Sequence, residues 1–183
     1  MDHYIDIRLH ANADMSVKEL MATLFYKVHV WLARHAQGRI GLSFPEADKA
    51  LGTVLRVHGS QSDLLMFGMG DWRRTLLLWI NQTPVQPVPL HAQHCSVARV
   101  QRKSANNMRQ RAMRRHGLTL EQAVQRIPDT AVELLNLPCL DIQSASTGQC
   151  VRFFIRQLTV PEAVPGTFSS YGMSQNGTTV PSF

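Results

Sequence analysis

The first residues of the chain alternate in hydrophobicity, and a longer segment with helical spacing follows them. Residues 3–10 place apolar side chains at every second position, which predicts a strand. Residues 16–36 predict a long helix. Its apolar stripe consists of Leu20, Leu24, Val28, Trp31 and Leu32. Ser16 and Glu19 have the spacing of a capping box, so we expect the helix to begin at Ser16.

Shorter segments complete the first half of the chain. The pattern predicts strands at 39–44 and 53–58 and two short helices at 60–66 and 71–80. The proline-rich link 84–89 then interrupts regular structure, because proline cannot donate a backbone hydrogen bond.

The second half mixes extended and helical segments. An extended segment is predicted at 94–101, helices at 106–116 and 119–126, and strands at 139–144, 150–157 and 167–171.

This order of elements predicts an α+β protein. The succession strand, helix, strand, strand, helix and a further strand fits a ferredoxin-like domain of the kind used by RNA-recognition modules. We place a domain boundary in the proline-rich link, which gives a ferredoxin-like domain over 1–90. The remaining region, 91–183, is predicted to be an α/β region that carries an arginine-rich helix at about 106–116. The fold carries no function by itself.

The distribution of charge along the chain indicates the kind of partner that it binds. The 183 residues carry a net charge of +6, and residues 99–116 alone contain seven of the nineteen lysines and arginines and no acidic residue. The rest of the chain is therefore close to neutral. A dense basic segment on a neutral body is typical of a protein that binds a polyanion.

Cysteine usage and hydropathy indicate the compartment. The three cysteines, Cys95, Cys139 and Cys150, are an odd number without a C-x-x-C pair, which favours a reducing environment. The N-terminus is acidic and alternating, unlike a signal peptide. The longest stretch without Lys, Arg, Asp or Glu contains three prolines, so it does not predict a membrane helix. We expect a cytoplasmic protein that contacts no membrane.

The basic segment has a defined geometry if it is helical. Arg111, Arg114 and Arg115 lie three and four residues apart and share one helix face. Arginine presents a planar fork that fits phosphate oxygens and guanine edges. Arg99 and Gln101 lie two apart on the predicted strand and would face the same way, as a pair able to read guanine and adenine.

Other polar residues have less specific patterns. His29 lies at the edge of the apolar stripe of the first helix, where a structural histidine is the more common outcome. His91, His94 and Cys95 resemble part of a zinc site but lack a second spaced pair, so we interpret them as a coincidence. We expect no metal ion and no cofactor.

Several of these segments, in this order, resemble the CRISPR-associated endoribonucleases of subtype I-F, the Csy-type enzymes that cut repeat hairpins to make guide RNAs. The resemblance rests on the segments MDHYIDIRL, LFYKVH, RIGLSFP, RVQRKS, MRRHGL, RIPDT, STGQ, FFIR, YGMS and VPSF. It extends over almost the whole chain, and the ordered set is specific although each piece alone is not.

The resemblance implies a catalytic group. His29 falls at the position of the family's catalytic histidine. Ser144 falls where a serine holds the ribose 2′-hydroxyl, and Tyr171 falls where a tyrosine positions the histidine. By the same resemblance, the second domain reads and holds the RNA. The implied RNA-binding residues are Arg99, Gln101, Arg102, Lys103, Arg109, Arg111, Arg114, Arg115, His116 and Ser146.

One position departs from the family pattern. The family has an aromatic residue just after the STGQ loop that stacks on a base near the cut, whereas this chain has Val151. Either the stacking contact is lost, or Phe153 or Phe154 provides it. A proline early in the basic segment is also missing, which affects where the basic helix begins.

The implied reaction suits these residue types. RNA supplies its own nucleophile, the 2′-hydroxyl, so a histidine with a pKa near neutrality can handle the proton without a metal. The expected products are a 2′,3′-cyclic phosphate and a 5′-hydroxyl. Whether His29 acts as base or acid stays open.

Two other functions compete with cleavage. A scaffold subunit could bind the hairpin without cutting it, and a DNA-binding protein could place the basic helix in a major groove. The expected partners are the repeat hairpin or guide RNA and other Cas subunits of a type I-F effector complex. We expect a monomer on the RNA that stays bound to the product hairpin.

Overall fold

The computed structural model describes residues 1–10, 15–102, 104–131, 135–143 and 148–183. The chain forms two compact units. The first unit consists of Met1–Arg99 together with Leu137–Phe183, and the second is Val100–Asn136. In the described ranges, no helix is long and apolar enough to cross a membrane.

Strands and helices are mixed in the first unit, as the α+β prediction requires. In chain order it contains β1 His3–Leu9, α1 Val17–His35, β2 Gly41–Ser43, β3 Val54–Gly59, α2 Gln61–Gly68, a 3-10 helix Asp71–Arg73, β4 Ile80–Gln82, β5 Gln86–Pro87, β6 Gln93–Val100, β7 Cys139–Gln143, β8 Cys150–Val160 and β9 Val180–Ser182. The second unit contains α3 Ala105–His116 and α4 Leu120–Arg126.

The strands of the described residues form two sheets. In the first sheet the order is β2-β3-β1-β4, with β5 also paired to β1, and the pairs are antiparallel. The register places Ile5 opposite Val57 and Ile7 opposite Leu55, and all four side chains are fully buried. The second sheet has the order β7-β8-β6-β9.

Helix α1 joins the cores of both sheets. It begins with the predicted capping box: the Ser16 hydroxyl accepts from the Glu19 amide, and the Glu19 carboxylate accepts from the Ser16 amide. Its buried stripe includes Phe25, whose ring lies 6.1 Å from that of Phe44 after β2 and 5.3 Å from that of Phe153 on β8. The helix is therefore packed against aromatic residues of both sheets.

One polar side chain also ties the sheets together. Gln157 on β8 donates from Nε2 to the Phe44 carbonyl at 2.9 Å, and its Oε1 accepts from the Phe44 amide at 2.7 Å. The amide satisfies both backbone groups of a residue that lies just beyond β2, so a part-buried strand end keeps its hydrogen bonds.

Two local predictions were wrong. Only Asp71–Arg73 of the predicted helix 71–80 is helical, as a 3-10 turn, because the next bonds run from Leu76 to Arg73 and from Trp79 to Leu76 before β4 begins. The predicted strand 167–171 is reduced to an isolated bridge between Phe168 and Ser174.

The compact units do not separate at the predicted boundary near residue 90. β6, β7, β8 and β9 follow that position, and buried residues such as Val97 and Phe153 share one hydrophobic core with Ile5 and Phe25. The proline-rich link ends one sheet and leads into the other, but both sheets bury their apolar faces in the same core.

A buried histidine makes the stability of this core depend on pH. His58 on β3 is fully buried, and its Nε2 lies 2.8 Å from the Ser43 hydroxyl. Burial, together with the Arg56 guanidinium, lowers the pKa of His58 to about 3. The unfolded chain takes up a proton near pH 6.5, whereas the folded protein does not, so protonation favours unfolding as the pH falls from 6.5 towards 3.

We expect the His58→Gln variant to have a flatter stability profile, because glutamine can still bond to Ser43 but does not titrate. Between pH 7 and pH 5 the unsubstituted protein should lose about 2 kcal/mol more unfolding free energy than the variant. Urea denaturation at the two pH values measures this difference. Equal losses in both proteins would contradict the assignment.

Candidate nuclease site and RNA-binding surface

His29 on α1 and Tyr171 are far apart in sequence but in direct contact in the structure. Their ring centroids are 3.6 Å apart and the planes differ by 5°, so the rings stack face to face. Both side chains are half-buried, at the edge of the core that α1 forms. The Tyr171 ring also packs against the rings of Phe25 and Phe153, at 6.0 and 5.0 Å between ring centroids. The core thus holds the tyrosine, and the tyrosine holds the imidazole plane.

A second contact fixes the protonation pattern of His29. Its Nδ1 lies 2.9 Å from the Ser170 backbone carbonyl. A carbonyl oxygen only accepts, so Nδ1 carries the hydrogen and Nε2 is the nitrogen that can take up or release a proton. This bond to a neighbouring backbone and the stacking together define the orientation of the imidazole, which is what proton transfer at a fixed position needs.

Residues 168–174, here called the Tyr171 loop, are held by both sheets. The Leu42 amide of β2 donates to the Gly172 carbonyl at 2.9 Å, and the Ser174 amide donates to the Val97 carbonyl of β6 at 2.7 Å. Gly172 has a φ of 67°, and a Cβ there would lie 2.4 Å from Cγ of Leu42. Glycine is therefore required for this close approach.

A cleft of about 610 Å³ runs along α1 and includes Tyr26, one turn before His29. One wall is formed by Glu19, Thr23 and Tyr26 of α1, and the other by Ile142 and Gln143 at the end of β7. The Tyr26 ring lies 6.5 Å from the His29 ring. The cleft therefore includes the aromatic ring one turn before the imidazole and the residue that precedes Ser144.

Ser144 and Ser146 lie outside the described residues, as does Lys103 of the basic segment. The assignment of Ser144 to the 2′-hydroxyl, and those of Ser146 and Lys103 to RNA binding, therefore stay predictions.

A charged cluster lies at the β7 side of the cleft. Asp141 accepts from Nε of Arg152 at 2.8 Å and from Nζ of Lys18 at 2.5 Å. These two hydrogen bonds, with Arg152 the larger influence, keep the pKa of Asp141 below its usual range. Both cations remain about half exposed at 52% and 57%, so the cluster joins α1 to the β7–β8 hairpin and still presents positive charge.

Helix α3 of the second unit presents the basic residues to solvent. It is capped at its N-terminus by the Ser104 hydroxyl, which accepts from the Asn107 amide, and it ends at Gly117 in the left-handed region. Arg111, Arg114, Arg115 and His116 are all exposed. Within this unit a shallow cleft of about 380 Å³ is lined by side chains that can all donate hydrogen bonds. They are Gln101, Arg102, Asn107, Gln110, Arg111 and Arg114.

Arg109 has a different environment from the other arginines of α3. Its side chain is only 11% exposed, its Nε donates to the Ile127 carbonyl at 2.8 Å, and its guanidinium pairs with Asp129 at 2.8 Å. These contacts attach α3 to the chain that follows α4. The structure accounts for Arg109 as a packing residue of the second unit, and its contact with RNA stays a prediction.

Arg99 and Gln101 are not a pair on one strand. β6 ends at Val100, so Gln101 lies just beyond it and belongs to the second unit, whereas Arg99 belongs to the first. Arg99 is exposed, and its guanidinium lies 4.5 Å from the centre of the Phe153 ring, a cation–π contact. Gln101 and Arg102 are also exposed.

The suggestion that Phe153 or Phe154 replaces the missing aromatic residue is wrong. Phe153 is 2% exposed and Phe154 is 8% exposed, so neither ring is available to a base. Val151 is half exposed and pairs with Ile142 across β7 and β8. An aliphatic side chain therefore occupies this point of the hairpin.

The zinc-like residues do not come together. His94 and Cys95 are neighbours on β6 and point to opposite faces, with Cys95 buried and His94 half exposed. Among the residues that the structure describes, no three histidine, cysteine or acidic side chains form a group that could hold a metal ion.

Sequence reasoning missed three contributors to the site. These are the Ser170 carbonyl, Tyr26, and the Lys18–Asp141–Arg152 cluster. A backbone carbonyl leaves no signal in a sequence. Tyr26 stood in the quoted segment LFYKVH three residues before His29, and that helical spacing alone could have placed it beside the histidine.

Comparison with known proteins agrees with the motifs. The model of the family described as "CRISPR-associated protein (Cas_Csy4)" matches residues 4–183. The chain is 40% identical over 185 residues to a "CRISPR-associated endonuclease Cas6/Csy4" of Pseudomonas aeruginosa (strain UCBPP-PA14), covering 97% of both proteins. It is 39% identical over 180 residues to a protein of the same name from Escherichia coli (strain UTI89 / UPEC), covering 97% of this chain and 98% of the relative. The resemblance inferred from the sequence is thereby confirmed, and the chain belongs to the Cas_Csy4 family of CRISPR-associated proteins.

Proposed function

We propose that the protein is an endoribonuclease that recognises the hairpin of a CRISPR repeat and cuts the precursor RNA to give guide RNAs. The proposal includes a metal-independent reaction, a 2′,3′-cyclic phosphate and a 5′-hydroxyl as product ends, and retention of the product hairpin. Support comes from two relatives of about 40% identity that are named CRISPR-associated endonucleases and from the arrangement around His29.

The single observation that carries the chemistry is the way His29 is held. The Ser170 carbonyl takes the hydrogen of Nδ1, and the Tyr171 ring supports the imidazole plane. Nε2 is left as a proton acceptor in the neutral ring and as a donor in the protonated ring. Proton transfer to or from an RNA oxygen would therefore pass through Nε2.

The rest of the reaction is positional. The 2′-oxygen attacks the adjacent phosphorus, the bond from phosphorus to the 5′-oxygen breaks, and the 2′-proton is lost while the 5′-oxygen gains one. We assign Ser144 to holding the 2′-hydroxyl in line with the leaving oxygen, because alignment of reacting atoms lowers the barrier without new chemistry. Gln143, which precedes Ser144, lines the same cleft as Tyr26, one turn before His29, and this supports the assignment.

We assign RNA affinity to the exposed arginine face of α3 and base reading to Arg99 and Gln101. Arg111, Arg114 and Arg115 would contact phosphates of the stem, and Arg102, His116, Lys103 and Ser146 would add contacts along the RNA. The strand order β2-β3-β1-β4 with α1 and α2 supports a ferredoxin-like unit. We further propose a monomer on the RNA that assembles with other Cas subunits.

The decisive experiment uses a short RNA hairpin of the repeat with single-stranded flanks. We expect cutting in EDTA with a cyclic phosphate at the new 3′ end. We expect no cutting when the nucleotide on the 5′ side of the cut lacks its 2′-hydroxyl, although that RNA should bind normally. Gel analysis and mass spectrometry of the product ends measure both results. Cleavage of the deoxy substrate, or a requirement for a divalent metal, would overturn the mechanism. Tight binding without any cleavage would favour the scaffold alternative.

Replacement of His29 by alanine should reduce the single-turnover rate about 10²–10⁴-fold and leave hairpin affinity nearly unchanged, because the group that moves the proton is lost. His35→Ala is the matched control. His35 lies on the same helix, and its Nδ1 also bonds to a backbone carbonyl, that of Trp31, at 2.9 Å. The control should cut normally, and equal losses in the two variants would point to damage to α1 instead.

Tyr171 separates stacking from hydroxyl chemistry. Tyr171→Phe keeps the ring that lies on His29 and should cut at close to the normal rate, whereas Tyr171→Leu removes the stacking and should be slowed at least tenfold. Single-turnover rates at saturating enzyme measure the difference. If the phenylalanine variant is as slow as the leucine variant, the hydroxyl takes part in the reaction and positioning by the ring is not its role.

The arginine face should control how affinity depends on salt. Replacing Arg111, Arg114 and Arg115 together by alanine should weaken hairpin binding and reduce the slope of log affinity against log salt by about one per lost phosphate contact. Arg74→Ala, an exposed arginine of the first unit, is the control and should leave the slope unchanged. An unchanged slope in the triple variant would remove α3 from the RNA interface.

A further inference from the structure

Tyr26 is an aromatic residue of the cleft along α1, and the mechanism proposed above assigns it no role. Tyr26 lies on α1 one turn before His29, and its half-buried ring forms part of the cleft wall. The centroids of the two rings are 6.5 Å apart and the planes are tilted by 56°. An RNA strand that lies in this cleft and reaches His29 would therefore contact the Tyr26 ring.

The other aromatic rings near the histidine have their faces occupied. Tyr171 stacks on His29, Phe25 is fully buried, and Phe153 is buried below Arg99. Of the described residues that line the cleft, Tyr26 is the one with an aromatic ring. Asp141, Ile142 and Gln143 line the opposite wall, so the space is bounded by an apolar side chain, an amide and a carboxylate that is paired with Lys18 and Arg152.

The chemistry of this space suits a flat, partly polar group. Nucleobases of unpaired RNA stack on aromatic side chains and offer hydrogen-bonding edges to nearby amides. The Gln143 amide can donate and accept, and Ile142 can cover an apolar face. Glu19 and Thr23 continue the α1 wall away from His29, so Tyr26 is the α1 residue of the cleft that lies nearest to the imidazole in the helix.

We propose that Tyr26 is the stacking platform for one of the two nucleobases that flank the scissile phosphate. By holding that base, Tyr26 sets the position of the attached ribose and phosphate relative to Nε2 of His29. It is a positioning and specificity-determining residue, and it takes no part in proton transfer. The inference rests on the proposed nuclease function and names the residue that orients the substrate at the same site.

The first test detects the stacking without any cleavage. Repeat hairpins carry 2-aminopurine at the nucleotide 5′ or 3′ of the cut, and the 2′-hydroxyl at the cut is replaced by hydrogen so that the RNA stays whole. At one of the two positions, binding should quench the fluorescence with the unsubstituted protein and with Tyr26→Phe, but much less with Tyr26→Leu. Equal quenching by all three proteins, or quenching at neither position, would overturn the proposal.

The second test separates a base contact from a structural role. Tyr26→Leu should slow single-turnover cutting of the normal hairpin by about tenfold to a hundredfold, the range expected for loss of one base–aromatic stack. On a hairpin that is abasic at the quenched position, the unsubstituted protein should be slowed by a similar factor, and Tyr26→Leu should cause almost no further loss. Tyr26→Phe keeps the aromatic ring and should cut each RNA at the same rate as the unsubstituted protein does.

A structural role for Tyr26 would give a different result. Damage to α1 slows the cutting of both RNAs by the same factor, and that outcome overturns the proposal. The two hypotheses also fail separately. If the unsubstituted protein does not cut the normal hairpin, the nuclease function is wrong, and the fluorescence test still decides whether a base stacks on Tyr26.

Discussion

The packing of Phe25 is the constraint on which the rest of the site depends. Its ring contacts Phe44 beyond β2, Phe153 on β8 and Tyr171, and so fixes α1 against both sheets at once. His29 lies four residues later on the same helix, one turn away. Tyr171 packs on Phe25 on the core side and on His29 on the outer side. The packing of the core therefore fixes the position of the imidazole. The imidazole proposed to move the proton is thus carried by a regular helix of the core.

The Tyr171 loop shows how backbone groups complete this arrangement. The loop bonds to β2 through Gly172 and to β6 through Ser174, and it then offers the Ser170 carbonyl to the imidazole. Each bond alone contributes little net stability, about 1 kcal/mol. Their combined effect is geometric, because two strands and one helix must all be in register before the carbonyl reaches Nδ1. A carbonyl in this position is difficult to replace by mutation, since every residue type has one.

The sequence predicted the parts of the fold that local patterns determine. The predictions of the capping box at Ser16 and of the apolar stripe of α1 were correct, because the start and the buried face of a helix depend on residues close together in sequence. The segments 71–80 and 167–171 failed because their conformation depends on distant partners: β4 pairs with β1, and the Tyr171 loop bonds to β2 and β6. At the candidate site, the resemblance pointed to His29 and Tyr171, whose rings stack in the structure, but the carbonyl of Ser170 lies 141 positions from His29 and carries no side-chain signal. The burial of Phe153 and Phe154 likewise follows from the packing of both sheets on α1, which no short window records.

The second unit leaves the first after Arg99 and returns at Leu137, as an insertion between two strands of one sheet. Arg111, Arg114 and Arg115 on α3 are exposed, whereas Phe25 is fully buried. Substitutions at these exposed positions alter charge and leave packing intact, so they cost little stability. Substitutions around Phe25 create cavities or clashes and destabilise the fold. We expect members of this family to differ most at the exposed positions within Val100–Asn136 and least at the buried positions of α1.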